Sequence, residues 1–237
     1  MSGHSKWSTI KHKKGIADSR RAAVFTKLAK NVTVAAKAGA DPDFNFSLRT
    51  AVNAALAANM TKEAIERAVR KGSGGDGDAR IEEVLYEGYG PGGAAIIVEA
   101  LTDNRNRTSP NVRHIFSKRG GNMGATGSVQ WMFSRKGVVR LEADALTEGA
   151  ELALIDAGAD EIESEDETVT VSGPLEALQR LQEAAEAAGL KVASFGPEWV
   201  PKETVSVSEE NRESLEGLLE ALDEDDDVNA VFCNADL

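Results

Sequence analysis

The sequence predicts an α+β multidomain chain: an N-terminal three-helix domain followed by two α/β domains, one ferredoxin-like (βαββαβ) and inserted into the other. Three observations carry that expectation. The 237 residues exceed the roughly 100 to 150 of a common single domain. Apolar positions recur at steps of three and four before a Gly-rich stretch at 72–77, and alternate between strand and helix patterns after it. Charge divides at the same place: Met1 to Lys71 holds 14 Lys and Arg against 5 Asp and Glu, while the whole chain carries −12.

Residues 1–17 mix Gly, Ser, Lys and His with few apolar anchors, which predicts a flexible basic arm. Residues 18–79 form the expected helical basic domain with its Gly-rich linker. A first helix begins near Asp18, with Ala22, Phe25, Ala29, Val32 and Ala36 on one face and Arg20, Lys27, Lys30 and Lys37 on the opposite arc. A second runs through Leu48, Val52 and Leu56 after the turn at Asp41-Pro42. A third opens at Thr61 as N-cap, with Ile65 and Val69 facing the core.

Past the linker, Val84 to Tyr89 and Ala94 to Thr102 read as a hairpin around Gly90-Pro91-Gly92-Gly93, Arg105 to Lys118 as helix, and Ser128 to Phe133 as a third strand. The pattern then restarts. Strand Gly137 to Leu141, helix Asp144 to Ala157, strands Glu161 to Ser164 and Thr168 to Val171, helix Pro174 to Ala188 and strand Leu190 to Phe195 give βαββαβ, complete in itself. Strand Thr204 to Val207, helix Glu209 to Leu222 and strand Val228 to Cys233 are too small to bury a core alone. The expected boundaries are therefore 80–135 with 202–237 for the interrupted α/β domain and 136–201 for the inserted one.

Composition narrows the chemistry. One cysteine excludes an intrachain disulfide, and three histidines leave too few soft ligands for a Cys/His metal centre. No segment has the apolar run of a signal peptide or a membrane span, so the cytoplasm is the expected compartment. Both G-x-G-x-x-G matches stand in the wrong context for a dinucleotide fold: the first follows a helix, and the second occupies a hairpin turn. No phosphate-loop, G-x-S-x-G or H-E-x-x-H pattern occurs. His114 reads as a partly buried structural residue and Cys233 as a small buried hydrophobe. No enzyme, cofactor, metal, membrane or small-molecule substrate is expected.

A polyanionic partner is what the charge layout favours, because exposed Lys and Arg gain affinity by releasing counterions from phosphate. The candidate nucleic-acid-binding residues are Lys6, Trp7, Lys11, His12, Lys13 and Lys14 of the arm, with Trp7 as a stacking platform, then Arg20, Arg21, Lys27, Lys30 and Lys37. Arg105 and Arg107 join them from Thr102-Asp103-Asn104-Arg105-Asn106-Arg107-Thr108 at a strand-to-helix junction, where Asn and Thr are also ordinary caps. The loop Gly120 to Gly127, flanked by Lys118 and Arg119, is expected to be long and flexible. Acidic runs at Asp160 to Glu167 and Glu220 to Asp227 lack calcium-loop spacing and read as solvated charge that repels nucleic acid from the rest of the chain.

Met1-Ser2-Gly3-His4-Ser5-Lys6-Trp7, the Gly90-Pro91-Gly92-Gly93 turn, Thr102 to Thr108 and Gly120 to Phe133 closely resemble the YebC/PmpR family over essentially the full chain. The resemblance implies a bacterial cytoplasmic protein of three domains, labelled a DNA-binding transcriptional regulator. It also implies kinship with mitochondrial translational activators and with ribosome-associated factors that relieve stalling. It supplies no catalytic residues. Three functions are thus expected in order: a non-enzymatic DNA-binding transcriptional regulator, a ribosome-associated translation factor binding ribosomal RNA, and a protein-interaction scaffold.

Overall fold

Two compact units emerge in the computed structural model, which describes residues 21–74, 81–165 and 167–237. Among the described residues, one is Phe133–Glu203; the other gathers those from Arg21 to Met132 together with those from Thr204 to Leu237. The expected basic arm, the helix start near Asp18 and most of the Gly-rich linker lie outside the described residues.

The helical region opens the larger unit. Helix α1 (Arg21–Ala35) buries Val32 and, just past its end, Ala36. Asn45 then holds the next helix in place: its Oδ1 accepts from the Leu48 N–H at 3.1 Å, while its Nδ2 donates to the carbonyls of Ala35 and Gly39 at 2.8 Å each. Helix α2 (Phe46–Ala57) turns Leu48, Ala51, Val52 and Ala55 to the core. Leu56, expected among them, falls one position off that stripe and stays 42% exposed. Thr61 caps helix α3 (Lys62–Gly72) as expected, accepting from the Ala64 N–H at 3.3 Å. Gly72 is not a linker residue. It ends α3 against α1, where an added Cβ would lie 2.1 Å from the Thr33 carbonyl oxygen, so only glycine permits the two helices to approach this closely.

Strands β1 (Glu82–Tyr89) and β2 (Ala95–Thr102) pair antiparallel from Glu82↔Thr102 to Tyr89↔Ala95 around the expected turn. Helix α4 spans Arg105–Lys118, as read from the sequence, and strand β3 is the short Asn122–Met123, paired with the end of β1. The strand expected at Ser128 to Phe133 does not form. Gly127, Val129 and Gln130 give their N–H groups to the Glu87 carboxylate rather than to a neighbouring strand, and a single 3₁₀ turn follows at Gln130–Met132.

The Phe133–Glu203 unit contains β4 (Phe133–Glu142), α5 (Glu148–Asp156), β5 (Glu161–Glu165), β6 (Thr168–Pro174), α6 (Leu178–Ala187) and β7 (Val192–Pro201). Its antiparallel sheet has the order β5-β6-β4-β7, the ferredoxin-like arrangement. Arg140, 2% exposed on β4, is held by the Glu198 carboxylate on β7, with one contact at 2.9 Å.

The chain then returns to the larger unit. Strand β8 (Val205–Ser206) pairs parallel with β10 (Ala235–Asp236), helix α7 spans Glu209–Asp223, and β9 (Val228–Cys233) joins the first sheet. That sheet has the order β3-β1-β2-β9, all antiparallel. Ile96 and Val98 of β2 meet Val112 and Phe116 of α4 and Leu215, Leu218, Leu219 and Leu222 of α7 in one core. Cys233 is buried within it, and burial pushes its thiol up to about 12.

Candidate nucleic-acid interface

The lysines expected to line an open arc of α1 are engaged within the chain. Lys30 Nζ donates to Asp227 Oδ1 and to the Asp226 carbonyl, both at 2.7 Å. Lys27 bonds the Asp223 carbonyl, with that residue's carboxylate 3.8 Å away, and Lys37 bonds the Ile81 carbonyl. Side-chain exposure of Lys27 and Lys30 is only 15% and 18%. The acidic run at 220–227 is therefore not merely solvated charge, because its last residues receive α1. Lys6, Trp7, Lys11, His12, Lys13, Lys14 and Arg20 lie outside the described residues, and α1 opens on Arg21.

Asp227 organises this junction. Its carboxylate also accepts from Thr108 Oγ1 at 2.7 Å and from Arg107 Nη2 at 2.8 Å. Burial alone would raise its carboxyl, but the hydrogen bonds from Lys30, Arg107 and Thr108 outweigh it and hold the group at about 2. Arg107 is raised in turn, chiefly by its hydrogen bond to Asp227, and reaches Asp103 at 3.1 Å as well. Thr102 completes the lattice, its hydroxyl donating to Thr108 Oγ1 at 2.7 Å, and Asn104 caps α4 by accepting from the Arg107 N–H at 3.2 Å. The 102–108 motif thus builds a helix start and a junction. Both of its arginines are more than half exposed, but Arg107 is committed to Asp227 and Asp103, whereas Arg105 has a loose contact of 3.8 Å to Glu82.

Positive charge reaches solvent instead along the outer face of α4. Thr108, Val112 and Phe116, four residues apart, turn inward, so Asn106, Arg113, His114, Ser117 and Lys118 face out, and Arg105 and Arg107 are exposed at the helix start. Residues 105–118 contain no Asp or Glu, in a chain whose net charge is −12. His114, expected to be partly buried, is exposed on this face. Helical periodicity could have found Arg113 and Lys118, since it assigns them to the two flanks of the inward stripe, each about 100° to 120° from its centre.

Beyond Lys118, the cations meet the two Gly-rich segments. Lys118, Arg119 and Gly120 line an open cleft of about 590 Å³ with Gly90, Pro91, Asn211 and the acidic Glu213. The loop that follows is anchored rather than flexible. Glu87, 2% exposed, accepts from the N–H groups of Gly127 at 2.6 Å and of Val129 and Gln130 at 2.8 Å, and its carbonyl accepts from the Gly124 N–H at 2.8 Å. At the loop's end the Ser128 carbonyl accepts from Tyr89 Oη at 3.2 Å and from Trp131 Nε1 at 3.1 Å. Trp131 is 66% exposed and Tyr89 38%. Neither ring was singled out in the sequence, because an aromatic in a strand-like run reads as core.

These features define a mixed α+β protein with a helical N-terminal region followed by α/β domains, and with a basic outer face on α4. Residues 5–75 match the TACO1/YebC protein N-terminal domain, and residues 81–235 match the TACO1/YebC second and third domain. The chain belongs to the TACO1/YebC family. It is 47% identical over 240 residues to a "Probable transcriptional regulatory protein" of Thermoanaerobacter pseudethanolicus, covering 100% of this chain and 98% of that one. A protein of the same description from Treponema denticola is 48% identical over 239 residues, with 100% and 97% covered. The crystal structure of a conserved hypothetical protein from Aquifex aeolicus superposes with a TM-score of 0.89 at 42% identity, over 98% of this chain and 97% of that one. Among the described residues, no helix is long and apolar enough to cross a membrane.

Proposed function

We propose that this protein is a non-enzymatic regulator of gene expression that acts in the cytoplasm by binding nucleic acid. The observation that carries the reading is the outer face of α4, where Arg105, Arg113, His114 and Lys118 stand in solvent with no acidic residue on the helix. Cations so placed release counterions from a phosphate backbone on contact, whereas Lys27 and Lys30 of α1 are already matched by carboxylates and carbonyls of the same chain. The printed names of the relatives support transcription, with DNA as the target. Ribosomal RNA is the second reading, favoured by the exposed Trp131 at the same end of the sheet: the bases of an intact duplex are stacked on one another, while RNA loops present bases to aromatic rings.

Sequencing the nucleic acid cross-linked to the full chain in living cells separates the two. Promoter fragments would establish the first reading and ribosomal RNA the second. Recovery of neither, together with no binding of DNA or RNA in dilute buffer, would overturn nucleic-acid recognition and leave the scaffold function.

A further inference from the structure

We infer that the cleft between the hairpin turn, the end of α4 and helix α7 binds one ribonucleotide, with Lys118 and Arg119 on its phosphate and the Glu213 carboxylate accepting from the 2′-hydroxyl of its ribose. The inference rests on the nucleic-acid reading above and narrows the ligand to RNA.

Packing shapes the cleft before any ligand arrives. A Cβ added to Gly90 would stand 2.7 Å from Leu215 Cδ1, so the hairpin turn lies directly on α7. At the facing wall Gly120, with φ at +77°, ends α4, and the Gly121 N–H donates to the Phe116 carbonyl at 2.8 Å. Gly90, Gly92, Gly120 and Gly217 give the lining bare backbone that a ligand can approach closely. Its volume of about 590 Å³ falls within the roughly 300 to 1,000 Å³ of small-ligand sites.

The charges then fix what fits. Arg119 Nη1 is 3.5 Å from where a Cβ on Gly217 would stand, so the guanidinium rests against α7 at that residue. Glu213 precedes Gly217 by four residues and leaves the same face of α7 one turn earlier, about 6 Å along the axis. One such turn matches the step from a nucleotide's phosphate to the hydroxyls of its own ribose. Among the described residues, Glu213 forms no ion pair with Lys118 or Arg119, and Arg212 beside it is turned to Glu209 and Glu216. A surface that only tracks phosphates is weakened by a carboxylate among its cations, because like charge repels the backbone. A ribose hydroxyl supplies that carboxylate with a donor, in a charge-assisted bond that deoxyribose cannot make. The acid thereby makes the site one that separates RNA from DNA.

The test measures binding of the full chain, at one salt concentration, to a 12-nucleotide oligouridine and to the oligodeoxyuridine of the same length, which differ only in the 2′-hydroxyl. The parent should hold the RNA about tenfold more tightly. Glu213→Ala should erase that ratio, weakening RNA binding about tenfold and leaving DNA binding unchanged or slightly tighter, whereas Arg119→Ala should weaken both strands by the same factor. Uridine 5′-phosphate titrated alone identifies the source of the ligand: affinity equal to that of the oligomer marks a free nucleotide, and binding confined to the oligomer marks a residue of RNA. Equal parent affinity for the two strands, tightening of both by Glu213→Ala, or a ratio that survives that substitution would overturn the ribose site, while binding of both strands would still support the nucleic-acid reading. If the parent binds neither strand nor uridine 5′-phosphate, the reading and the cleft fall together. Glu213 and Arg119 are exposed, so unchanged thermal unfolding will show that both variants are folded.

Discussion

Helices α1 and α4 look alike in the sequence: each is amphipathic, cationic and free of Asp and Glu between its ends. In the folded chain they have opposite fates. Lys27 and Lys30 of α1 turn into the end of the acidic run and are mostly covered, whereas Arg113, His114 and Lys118 of α4 turn away from the core into solvent. The cationic character of a helix thus names no partner until the acids of its own chain that reach it are known. Here the segment with the larger share of positive charge uses Lys27, Lys30 and Lys37 to hold the molecule together, and a less conspicuous helix presents the open face.

The comparison breaks most visibly at Asp227. Asp227→Ala removes the acceptor shared by Lys30, Arg107 and Thr108 and leaves Lys30, only 18% exposed, without its carboxylate, which should cost about 3 kcal/mol in urea unfolding. A loss below about 1 kcal/mol would mean that the α1 contact is superficial.

Acid should loosen the same junction. The carboxyl of Asp227 is depressed from 3.8 to about 2, so its contribution is complete above pH 4 and disappears as the pH falls through about 2. The linkage amounts to roughly 2 kcal/mol, read as a difference in acid unfolding between the parent and Asp227→Asn.

Paired substitutions sharpen the contrast in binding. Arg113→Ala with Lys118→Ala should lessen the slope of log affinity against log salt by about 2 for duplex DNA without lowering stability. Lys27→Ala with Lys30→Ala should do the reverse, destabilising the fold by about 1 to 3 kcal/mol while the slope stays within error. Should the second pair flatten the slope and the first leave it unchanged, α1 rather than α4 would be the contact helix. The smallest effect belongs to His114→Ala, whose exposed ring should change stability by less than about 0.5 kcal/mol in thermal unfolding.

Much of the architecture was legible in the residues because local rules settle it. Alternation and helical spacing placed β1, β2, α4, the elements of the ferredoxin-like unit, α7 and β9, with Asn104 and Thr61 marking helix starts. The failures share a cause. Ser128 to Phe133 has strand composition, yet a buried carboxylate some 40 positions earlier in the chain takes its N–H groups, and no local pattern announces that capture. Gly72 looked like the first residue of a linker because composition cannot show that Thr33 of a separate helix lies against it.

The sequence by itself determined the order of elements, the segregation of charge and the amphipathic phase of each helix, because these follow from propensity and period among near neighbours. Only the tertiary structure decided which cations are matched and which are open. That outcome depends on pairs such as Lys30 with Asp227, 197 positions apart, whose meeting is fixed by β9 pairing with β2 and by the packing of α1. Trp131 was decided in the same way: an aromatic in a strand-like run reads as core, yet on the segment whose N–H groups Glu87 takes it is 66% exposed.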